Sequence, residues 1–529
     1  MHLRNSWGIY IALLFGTFIT IEAAAFQAPA LPSVTRHFGI PVSLAALILM
    51  FYFIALTVFA PIMGRFGDQY GRKKVLSAGL FIFALSEFAA AWAPNFGVFL
   101  TARFAQGFGV ACILPGVFAY ATHLFPEHKR GLALGVLTFT MTFGAASGGL
   151  LGGLLIDRLG WPSVYWISGA LALAGLLPVR LLVSEIKSVR QPAAFDYSGA
   201  LLLFVTIAAL LSFPTWASNF GRASPLTWII AGVGLVSVIL LWRHSGRVSA
   251  PVIDVDILSR RAFALPSAIY WLHALFFSGV IYSLAFFVNN RPGGSASQFG
   301  FVTLFLYGSA MLSSPIAGRL IDRFGPRTIS VVALTVSLAA LLMFIAIDVA
   351  TPLWTIILVV CMLGLAIGAN GPATMKMAFN AVPPPKMGAG TGLFSMFRDL
   401  GAPTGSSLAL AVFGVTLAYQ AKASLSRLTA GYGFDASLLE QLASAAAGRA
   451  QALPTELAAR LAASGVEAQT LVRQAGVEAL DGALANVGYL LASMNALALL
   501  LSLRLAKAAT GRGAALDAAP VAADDGGAR

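Results

Sequence analysis

Charged residues are scarce in this chain. Asp, Glu, Lys and Arg make up 10% of its 529 residues, whereas 58% are hydrophobic. Soluble domains carry about 25% charged residues, so the composition excludes the soluble class and predicts a protein embedded in a lipid bilayer. Cysteine is also nearly absent: Cys112 and Cys361 fall in separate apolar segments, which excludes a disulfide framework and a cysteine metal site.

The sequence patterns of catalytic sites are missing as well. There is no metal-ligand spacing, no nucleophile elbow and no phosphate-binding glycine loop beside a strand. We therefore expect no enzymatic activity, no metal and no cofactor, and keep a membrane enzyme or non-transporting sensor as a third hypothesis. The net charge of +13 comes from basic residues scattered over many short loops, a distribution that argues against a nucleic-acid partner.

Long apolar runs dominate what is present. About 20 apolar residues are needed for a helix to cross the hydrocarbon layer, and fourteen runs meet this length to within a few residues. They lie near 7–31, 43–63, 75–93, 98–122, 132–156, 163–183, 198–214, 225–243, 264–288, 298–317, 328–347, 354–373, 389–417 and 485–505. The first is too long for a signal-peptide core, so we expect an uncleaved membrane helix.

Basic residues in the short loops predict the orientation. Loops on one side of the predicted bundle hold most of the Lys and Arg residues, including Arg72, Lys73, Arg327 and Lys376. By the positive-inside rule this richer side is cytoplasmic. We therefore expect a multi-pass protein of the cell inner membrane with both termini in the cytoplasm.

The chain contains an internal repeat. The loop Gly64-Arg-Phe-Gly-Asp-Gln-Tyr-Gly-Arg-Lys-Lys74 has a counterpart in Gly318-Arg-Leu-Ile-Asp-Arg-Phe-Gly-Pro-Arg327. Beyond the loops, glycines 107, 131, 135, 144 and 148 and Pro115 recur about 257 residues later as glycines 364, 388, 392, 401 and 405 and Pro372. Such a shared offset across three helices predicts a membrane protein built from two related halves.

Three motifs resemble those of the major facilitator superfamily, and more narrowly its fourteen-span drug:proton antiporter branch of the EmrB/QacA type. The loop 64–74 is similar to the superfamily signature Gly-x-x-x-Asp-x-x-Gly-Arg-Lys-Lys, and Arg103-Phe-Ala-Gln106-Gly107 is similar to Arg-x-x-Gln-Gly of the fourth span. The segment 144–153 resembles the antiporter signature Gly-x-x-x-Gly-Pro-x-x-Gly-Gly of the fifth span. The resemblance implies an all-α integral membrane fold with two six-helix bundles and two intervening helices, and transport by alternating access.

The fifth-span glycines are therefore candidates for a packing surface between the moving halves. They are Gly144, Gly148, Gly149, Gly152 and Gly153. Gly149 stands where the signature has proline. Ala23 stands at the acidic position of the first-span signature, and Glu22 is one residue before it. The missing proline favours a second hypothesis, transport of one specific metabolite by uptake or efflux.

The repeated loops imply a conformational latch. The resemblance places this role on Gly64, Asp68, Gly71 and Arg72 in the first copy and on Asp322 and Arg327 in the second. A carboxylate there can cap a neighbouring helix N-terminus, and the glycines let backbones approach closely. We expect this cytoplasmic latch to favour the outward-facing state; plain topogenic charge is the alternative.

Charges inside predicted spans are costly and therefore functional candidates. Glu87 and Arg103 lie at similar depth on either side of one hairpin, and Glu22 lies at comparable depth on the first helix. Burial favours the neutral form of a carboxyl group whereas a nearby arginine favours the charged form. We expect Glu22 to carry the transported proton, Arg103 to modulate it and Glu87 to balance the charge, or Glu87 and Arg103 to form a structural pair.

Six further residues are candidates for a substrate cavity: Phe26, Gln106, Trp271, His273, Arg398 and Asp399. Since adjacent helical residues point about 100° apart, we expect Arg398 and Asp399 to face different partners, one in the cavity and one at the cytoplasmic interface; a local role in assembly is the alternative. For the aromatic residues and His273, the alternative is a structural role in the packed interior of the helix bundle.

The predicted domains are an N-terminal bundle (1–190), two extra helices with a linker (191–262), five helices of the C-terminal bundle (263–417), an extracytoplasmic helical segment (418–484), the last span (485–509) and a disordered cytoplasmic tail (510–529). We expect the segment 418–484 to gate the cavity or to dock a periplasmic adaptor protein. The function predicted is export of amphipathic small molecules by proton antiport, driven by the proton gradient across the lipid bilayer.

Overall fold

The structure is a computed structural model that describes residues 3–185, 196–221, 223–248, 251–383, 387–429, 442 and 468–505. The side chains of a few residues within these ranges, among them Asp68, are outside the described part. The predicted tail 510–529 and most of the predicted segment 418–484 also lie outside it. Within the described residues all regular structure is helical, which confirms the all-α prediction.

The first half of the chain forms one helical bundle. Its helices are α1 (Leu3–Ala25), α2 (Gln27–Phe38), α3 (Val42–Tyr70), α4 (Arg72–Ala91), α5 (Phe96–Leu124), α6 (Glu127–Leu159) and α7 (Pro162–Leu182). Two intervening helices follow, α8 (Tyr197–Phe220) and α9 (Pro225–Ser245), and then the short α10 (Val255–Ser259).

The second half forms the other bundle. Its helices are α11 (Arg261–Asn290), α12 (Ala296–Phe324), α13 (Pro326–Ile345), α14 (Leu353–Asn380), α15 (Met387–Leu428) and α16 (Ala468–Leu503). Among the described residues, 14 helices are long and apolar enough to cross a membrane, which confirms the predicted arrangement of six, two and six spans.

The first span differs from its predicted bounds of 7–31. Helix α1 ends at Ala25, and Phe26 keeps a right-handed helical conformation that leads directly into α2. Pro32 lies inside α2 and does not stop it, since proline removes a single backbone donor and bends a helix more readily than it ends one. The helix ends only at Gly39, whose φ of 63° lets its amide bond back to the Arg36 carbonyl oxygen.

The two bundles repeat one packing scheme. Helix α1 packs on α6 and α7, as α11 packs on α15 and α16; likewise α5 packs on α3 and α4, as α14 packs on α12 and α13. The repeated glycines explain this. The position of a Cβ atom on Gly148 would be 2.7 Å from the Glu22 carbonyl oxygen of α1, and one on Gly405 would meet the equivalent Leu275 oxygen of α11. Only glycine permits these approaches.

The halves meet through two symmetric contacts, α6 with α12 and α3 with α15. We call the end with the α3–α4 and α12–α13 turns the basic end, and the opposite end, with the α4–α5 and α6–α7 turns, the far end. The halves approach each other closely at the far end, where Gly153 lies against Ala296 and Gly414 lies against Ser43. The bundle is therefore closed there.

Helix α8 lies against α3 and α15 and so touches both halves, whereas α9 packs on α8. A buried hydrogen-bond cluster fixes the pair at the basic end. Asp196, immediately before α8, accepts hydrogen bonds from His244 Nε2 of α9 (2.6 Å), the Gly199 amide (2.7 Å) and the Val252 amide (3.3 Å). The cluster ties both intervening helices to the linker that leads into α11.

Candidate functional site

Arg103 is the largest fully buried side chain in the described part of the chain, with 1% of its surface exposed. It lies on α5 and reaches across to α3, where its Nε donates to the Ile48 carbonyl oxygen (3.4 Å) and its guanidinium stacks 4.6 Å from the centre of the Tyr52 ring. Its Nη1 donates to Gln106 Oε1, one turn further along α5. The predicted site residues Arg103 and Gln106 thus form one unit.

Glu87 lies on the neighbouring helix α4 and is equally buried, with 1% of its surface exposed. The hypothesis of a Glu87–Arg103 structural pair is not what the structure shows: no hydrogen bond or ion pair joins them, and Glu87 Oε1 and Arg103 Nη2 both lack a partner. The charges still act on each other across the intervening space. A buried polar atom without a hydrogen-bond partner is costly, and Glu87 Oε1 and Arg103 Nη2 are two such atoms.

Four tyrosines near this charge pair were missed by the sequence analysis as a group: Tyr52 and Tyr165 from the first half, and Tyr282 and Tyr307 from the second. Tyr52 contacts Arg103, Tyr165 lies within its electrostatic range, and Tyr307 lies within that of Tyr282. Tyr282 on α11 lies within electrostatic range of Arg103, Tyr52 and Tyr165. We call these four residues the tyrosine cluster. The sequence pattern that they share is a tyrosine inside an apolar span. The hydroxyl group of a buried tyrosine usually requires a hydrogen-bond partner.

The tyrosine cluster has members in both halves, and the bonded and ring contacts of Tyr165 and Tyr307 each stay within one half. Tyr165 donates to Gln27 Oε1 on α2 (3.0 Å), and Tyr307 packs its ring 6.1 Å from Phe277 on α11. Asp399, on α15 of the second half, is near enough to Tyr52 for its charge to act there. Aromatic faces with hydroxyl and guanidinium donors can hold an amphipathic molecule.

Glu22 is separate from this centre. It is buried on α1, with 4% of its surface exposed, and no hydrogen bond or ion pair joins it to Arg103 or Glu87 in this structure. The expectation that one guanidinium reaches both carboxylates is therefore not met, because the side of α1 that carries the Glu22 backbone faces α6 at Gly148. The Glu22 backbone lies instead at the α1–α6 contact, inside the first half.

The glycines of α6 serve two opposite faces. Gly144, Gly148 and Gly152, spaced by four residues, face α1 and α2, and the ring of Phe26 lies where a Gly152 side chain would be. Gly149 and Gly153 face α12, and the Thr303 hydroxyl occupies the place of a Gly149 side chain. At the position of the signature proline, the space beside Gly149 is thus occupied by a side chain from the other half of the molecule.

The predicted cavity residues of the second half make separate contacts and do not form one group. Arg398 and Asp399 bond to each other, Nε to Oδ1 at 2.8 Å, which corrects the expectation of different partners, since the long arginine side chain folds back along the helix. His273 is buried with neither ring nitrogen hydrogen-bonded and lies beside Phe276. The Trp271 carbonyl oxygen faces Gly401 in the α11–α15 contact.

The proposed latch residues lie at the basic end. Gly71 and Gly325 have φ values of 112° and 82°, which favour glycine in both repeats. Lys73 Nζ donates to the Arg180 carbonyl oxygen at the end of α7 (2.8 Å), and Arg327 Nη2 donates likewise to the Leu503 oxygen at the end of α16 (2.6 Å). Asp322 pairs with Lys376 at 2.6 Å.

These contacts stay within their own halves. Basic side chains at helix C-termini are favourable because they meet unsatisfied carbonyl oxygens and the negative end of the helix dipole. Gly64 packs on Pro115 of α5, again within the first half. The contacts made by the described residues of these loops therefore explain local stability, and the action of the loops as a latch between the halves stays a prediction.

Comparison with known proteins agrees with this architecture. The Multidrug resistance protein Stp of Mycobacterium tuberculosis is 29% identical over 422 residues, 78% of this chain and 76% of that protein. The Riboflavin transporter RibZ of Clostridioides difficile is 23% identical over 79% of this chain and 91% of its own length. Among solved structures, a bacterial homologue of the human lysosomal transporter Spinster aligns with a TM-score of 0.67 and 16% identity, covering 95% of this chain and 98% of its own.

The sequence profile described as Major Facilitator Superfamily matches residues 13–406. This range includes the repeated loops, the buried Arg103 and the glycine faces of α6. With its two six-helix halves and fourteen spans, the chain belongs to the major facilitator superfamily of membrane transporters.

Proposed function

We propose that this transporter exports amphipathic small molecules by proton antiport through alternating access. The similarity to Stp and the antiporter-type glycine helix support export of toxic compounds. The observation that carries the proposal is the charge pair at the centre: Glu87 and Arg103 are buried side by side without bonding. A site that must neutralise and restore a buried charge during each cycle is suited to coupling proton and substrate movement.

In this proposal the substrate binds in the tyrosine cluster, with its apolar body against the rings. Arg103 changes its interactions when the substrate is present, and Glu87 balances the charge. Glu22 carries the proton, since it is a buried carboxyl group on a membrane-spanning helix, where an ionisable side chain is costly and therefore a functional candidate. Release of the proton and of the substrate on opposite sides then follows from alternating access.

The basic end is proposed to face the cytoplasm, with the protein in the inner membrane and both termini cytoplasmic. The closed far end then faces outward, so the described state is closed to the outside. The latch residues at the basic end, including Asp68 and Arg72, would act in the opposite state, when that end closes.

The test uses everted membrane vesicles energised by respiration. Uncoupler-sensitive accumulation of ethidium is expected for the wild type and is expected to be lost in Glu22→Gln. The matched control is Glu478→Gln, which makes the same chemical change at the far end, where Glu478 pairs with Arg427 at 3.2 Å. Accumulation by Glu22→Gln at the wild-type rate would remove Glu22 from the proton path.

Transport of one specific metabolite is the second candidate. Two observations favour it: glycine replaces the signature proline at 149, and RibZ is among the relatives. If inserted wild-type protein accumulates no ethidium, this candidate gains support, and transport assays with riboflavin and other metabolites follow.

The segment 418–484 is proposed to gate the cavity or to dock a periplasmic adaptor. Helix α15 continues to Leu428 and α16 begins at Ala468, and Arg427 joins them through Glu478. Replacing residues 430–467 with a short glycine-serine linker therefore leaves the paired helix ends intact. Loss of transport in reconstituted vesicles, which hold no adaptor, would indicate gating, whereas full transport there with loss of resistance in cells would indicate docking.

A further inference from the structure

His273 on α11 is a buried polar side chain that the proposed function does not use. Only 1% of its surface is exposed, and neither ring nitrogen forms a hydrogen bond with a described residue. A neutral imidazole ring carries one donor and one acceptor nitrogen, and leaving both unsatisfied inside a protein costs free energy. A hydrogen-bonding partner for this ring is therefore expected.

The His273 side chain faces the interior of the second half. Helix α15 meets α11 at four residues: Trp271, Ala274, Leu275 and Ser278. His273 lies about 150° around the helix from the centre of this contact. Apart from α15, the helices that pack most on α11 are α14 and α16, and both of these also pack on α13. The four helices α11, α14, α13 and α16 thus enclose one interior, and His273 is buried in it.

Two buried asparagines reach the same interior from α14 and α16. Asn370 Oδ1 of α14 accepts a hydrogen bond from the Ser330 hydroxyl of α13 (2.7 Å). Asn495 Nδ2 of α16 donates to the Leu334 carbonyl oxygen of α13 (3.1 Å). Ser330 and Leu334 lie one turn apart on the same face of α13. Each amide keeps a second buried atom without a partner, Nδ2 of Asn370 and Oδ1 of Asn495.

The three side chains lie at similar depth in the bundle. Helix α11 runs antiparallel to α14 and α16, and two glycines fix the alignment. Gly371 of α14 lies against the Tyr270 ring of α11, and Gly279 of α11 lies against the Leu491 side chain of α16. Counted from these contacts at 1.5 Å per residue, both asparagines are within about one helical turn of His273. The unsatisfied atoms therefore belong to one polar layer.

Water fits the chemistry of this layer. The free atoms include a donor on Asn370, an acceptor on Asn495 and one of each on His273, and a water molecule both donates and accepts hydrogen bonds. Buried waters typically make about three hydrogen bonds to polar groups that lack other partners. A metal ion fits less well, since no group of three or more His, Cys, Asp or Glu side chains in the described part of the chain is placed to hold one.

We propose that the interior of the second half contains a binding site for ordered water, in which water bridges His273 to the free amide atoms of Asn370 and Asn495. The asparagines carry this network to α13 through their own hydrogen bonds. A fully satisfied buried polar network fixes one arrangement of its helices, so the second half moves as a unit. The site does not depend on proton antiport or on the exported compound.

X-ray radiolysis of the full-length protein in nanodiscs tests for the water directly, because hydroxyl radicals formed from a bound water oxidise the side chains beside it. His273 and Phe276, whose rings lie 4.7 Å apart, should be oxidised several-fold faster than Phe263 and Phe344, which are as deeply buried in the same half. Oxidation of His273 and Phe276 no faster than of these two controls would overturn the proposal, including the case in which the ring bonds an asparagine directly.

Thermal unfolding distinguishes a ring that is bonded to water from one that is unsatisfied. His273→Leu removes the polar atoms at similar volume. It should lower the Tm by about 2 °C, because the water and the asparagines lose a partner. His273→Gln can still bond to water and should restore part of this loss. The control is Thr57→Val on α3, which removes a buried hydroxyl without a partner outside the layer and should not lower the Tm. A higher Tm in His273→Leu than in the wild type would overturn the proposal.

Discussion

Asp157 at the end of α6 caps the N-terminus of α12 through Ser297, in the opposite half of the transporter. Its Oδ2 accepts a hydrogen bond from the Ser297 amide at 2.7 Å, and its Oδ1 accepts one from the Ala296 amide at 3.1 Å. A carboxylate at this position satisfies orphan amides and meets the positive end of the helix dipole. The far end is thus held closed by a bond that must break whenever it opens.

Replacement of Asp157 by alanine should favour opening of the far end. Loss of a helix cap costs about 1 kcal/mol, which corresponds to about a fivefold shift in the balance between states. Hydrogen–deuterium exchange should therefore accelerate in peptides that contain Ala296 and Ser297. The control is Asn95→Ala, which removes the cap of α5 at the Val98 amide (2.9 Å) within one half. Equal acceleration of this region in both variants would contradict the gating role.

The effects of substitutions at Gly149 and at Thr303 on transport should depend strongly on each other. A methyl group at 149 collides with the Thr303 hydroxyl and lies 3.1 Å from its Cβ. Gly149→Ala is expected to reduce transport several-fold by separating α6 from α12, and adding Thr303→Ala should restore part of it. Gly232→Ala on α9 is the control, since its added Cβ meets nothing within 4 Å. Failure of the second substitution to restore activity would argue against this contact.

The sequence predicted the helical architecture because the two patterns that indicate it, apolar length and repeated glycines, can be read from short stretches of the chain. Apolar length marks each span, and the repeated glycines mark where helices approach, so Gly148 and Gly405 correctly indicated equivalent contacts. The predicted end of the first span at residue 31 was wrong, because α1 ends at Ala25 and the separate helix α2, which contains Pro32, continues to Phe38.

Side-chain partners were less predictable than helices. Glu87 and Arg103 were placed at the same depth, yet the guanidinium bonds to Gln106 and stacks on Tyr52. Arg398 was expected to point away from its neighbour and folds back onto it. Such choices depend on rotamers and on neighbouring helices. Asp157 had no motif to mark it, because its partner amides lie about 140 residues away.

The Asp196 cluster should make stability depend on pH. Burial alone would raise the pKa of Asp196, but hydrogen bonds from His244 and from the Gly199 and Val252 amides lower it below its ordinary value of 3.8. A lowered folded-state pKa contributes stability that is present above the unfolded-state value and is lost as the pH falls through the folded-state value. Asp196→Asn should therefore destabilise the protein by about 1 to 3 kcal/mol at pH 7.

This difference should shrink below pH 3.8. Thermal unfolding of the detergent-purified protein at pH 7, 5 and 3 measures it, with Asp256→Asn at an exposed position as the control. A gap in Tm between wild type and Asp196→Asn that stays constant over this range would show that the carboxylate charge is not what stabilises the cluster.

Alternating access predicts that a covalent bond across the far end will stop transport. A Cβ atom on Gly414 of α15 would lie 3.2 Å from the Cβ of Ser43 on α3. Disulfides join Cβ atoms about 3.5 to 4.5 Å apart, so a small separation of the helices allows Ser43→Cys and Gly414→Cys to bond. Cys112→Ala and Cys361→Ala remove the native thiols, and each single cysteine variant serves as a control.

Oxidation of the double-cysteine variant should abolish transport in vesicles, and dithiothreitol should restore it to the level of the same variant before oxidation. The single variants should be insensitive to the oxidant. The reason is that α3 and α15 belong to different halves, so the bond fixes the far end closed while the basic end stays free. Transport by fully cross-linked protein would mean that substrate crosses without separation of α3 from α15, and the rocking motion inferred from the two symmetric contacts would be wrong.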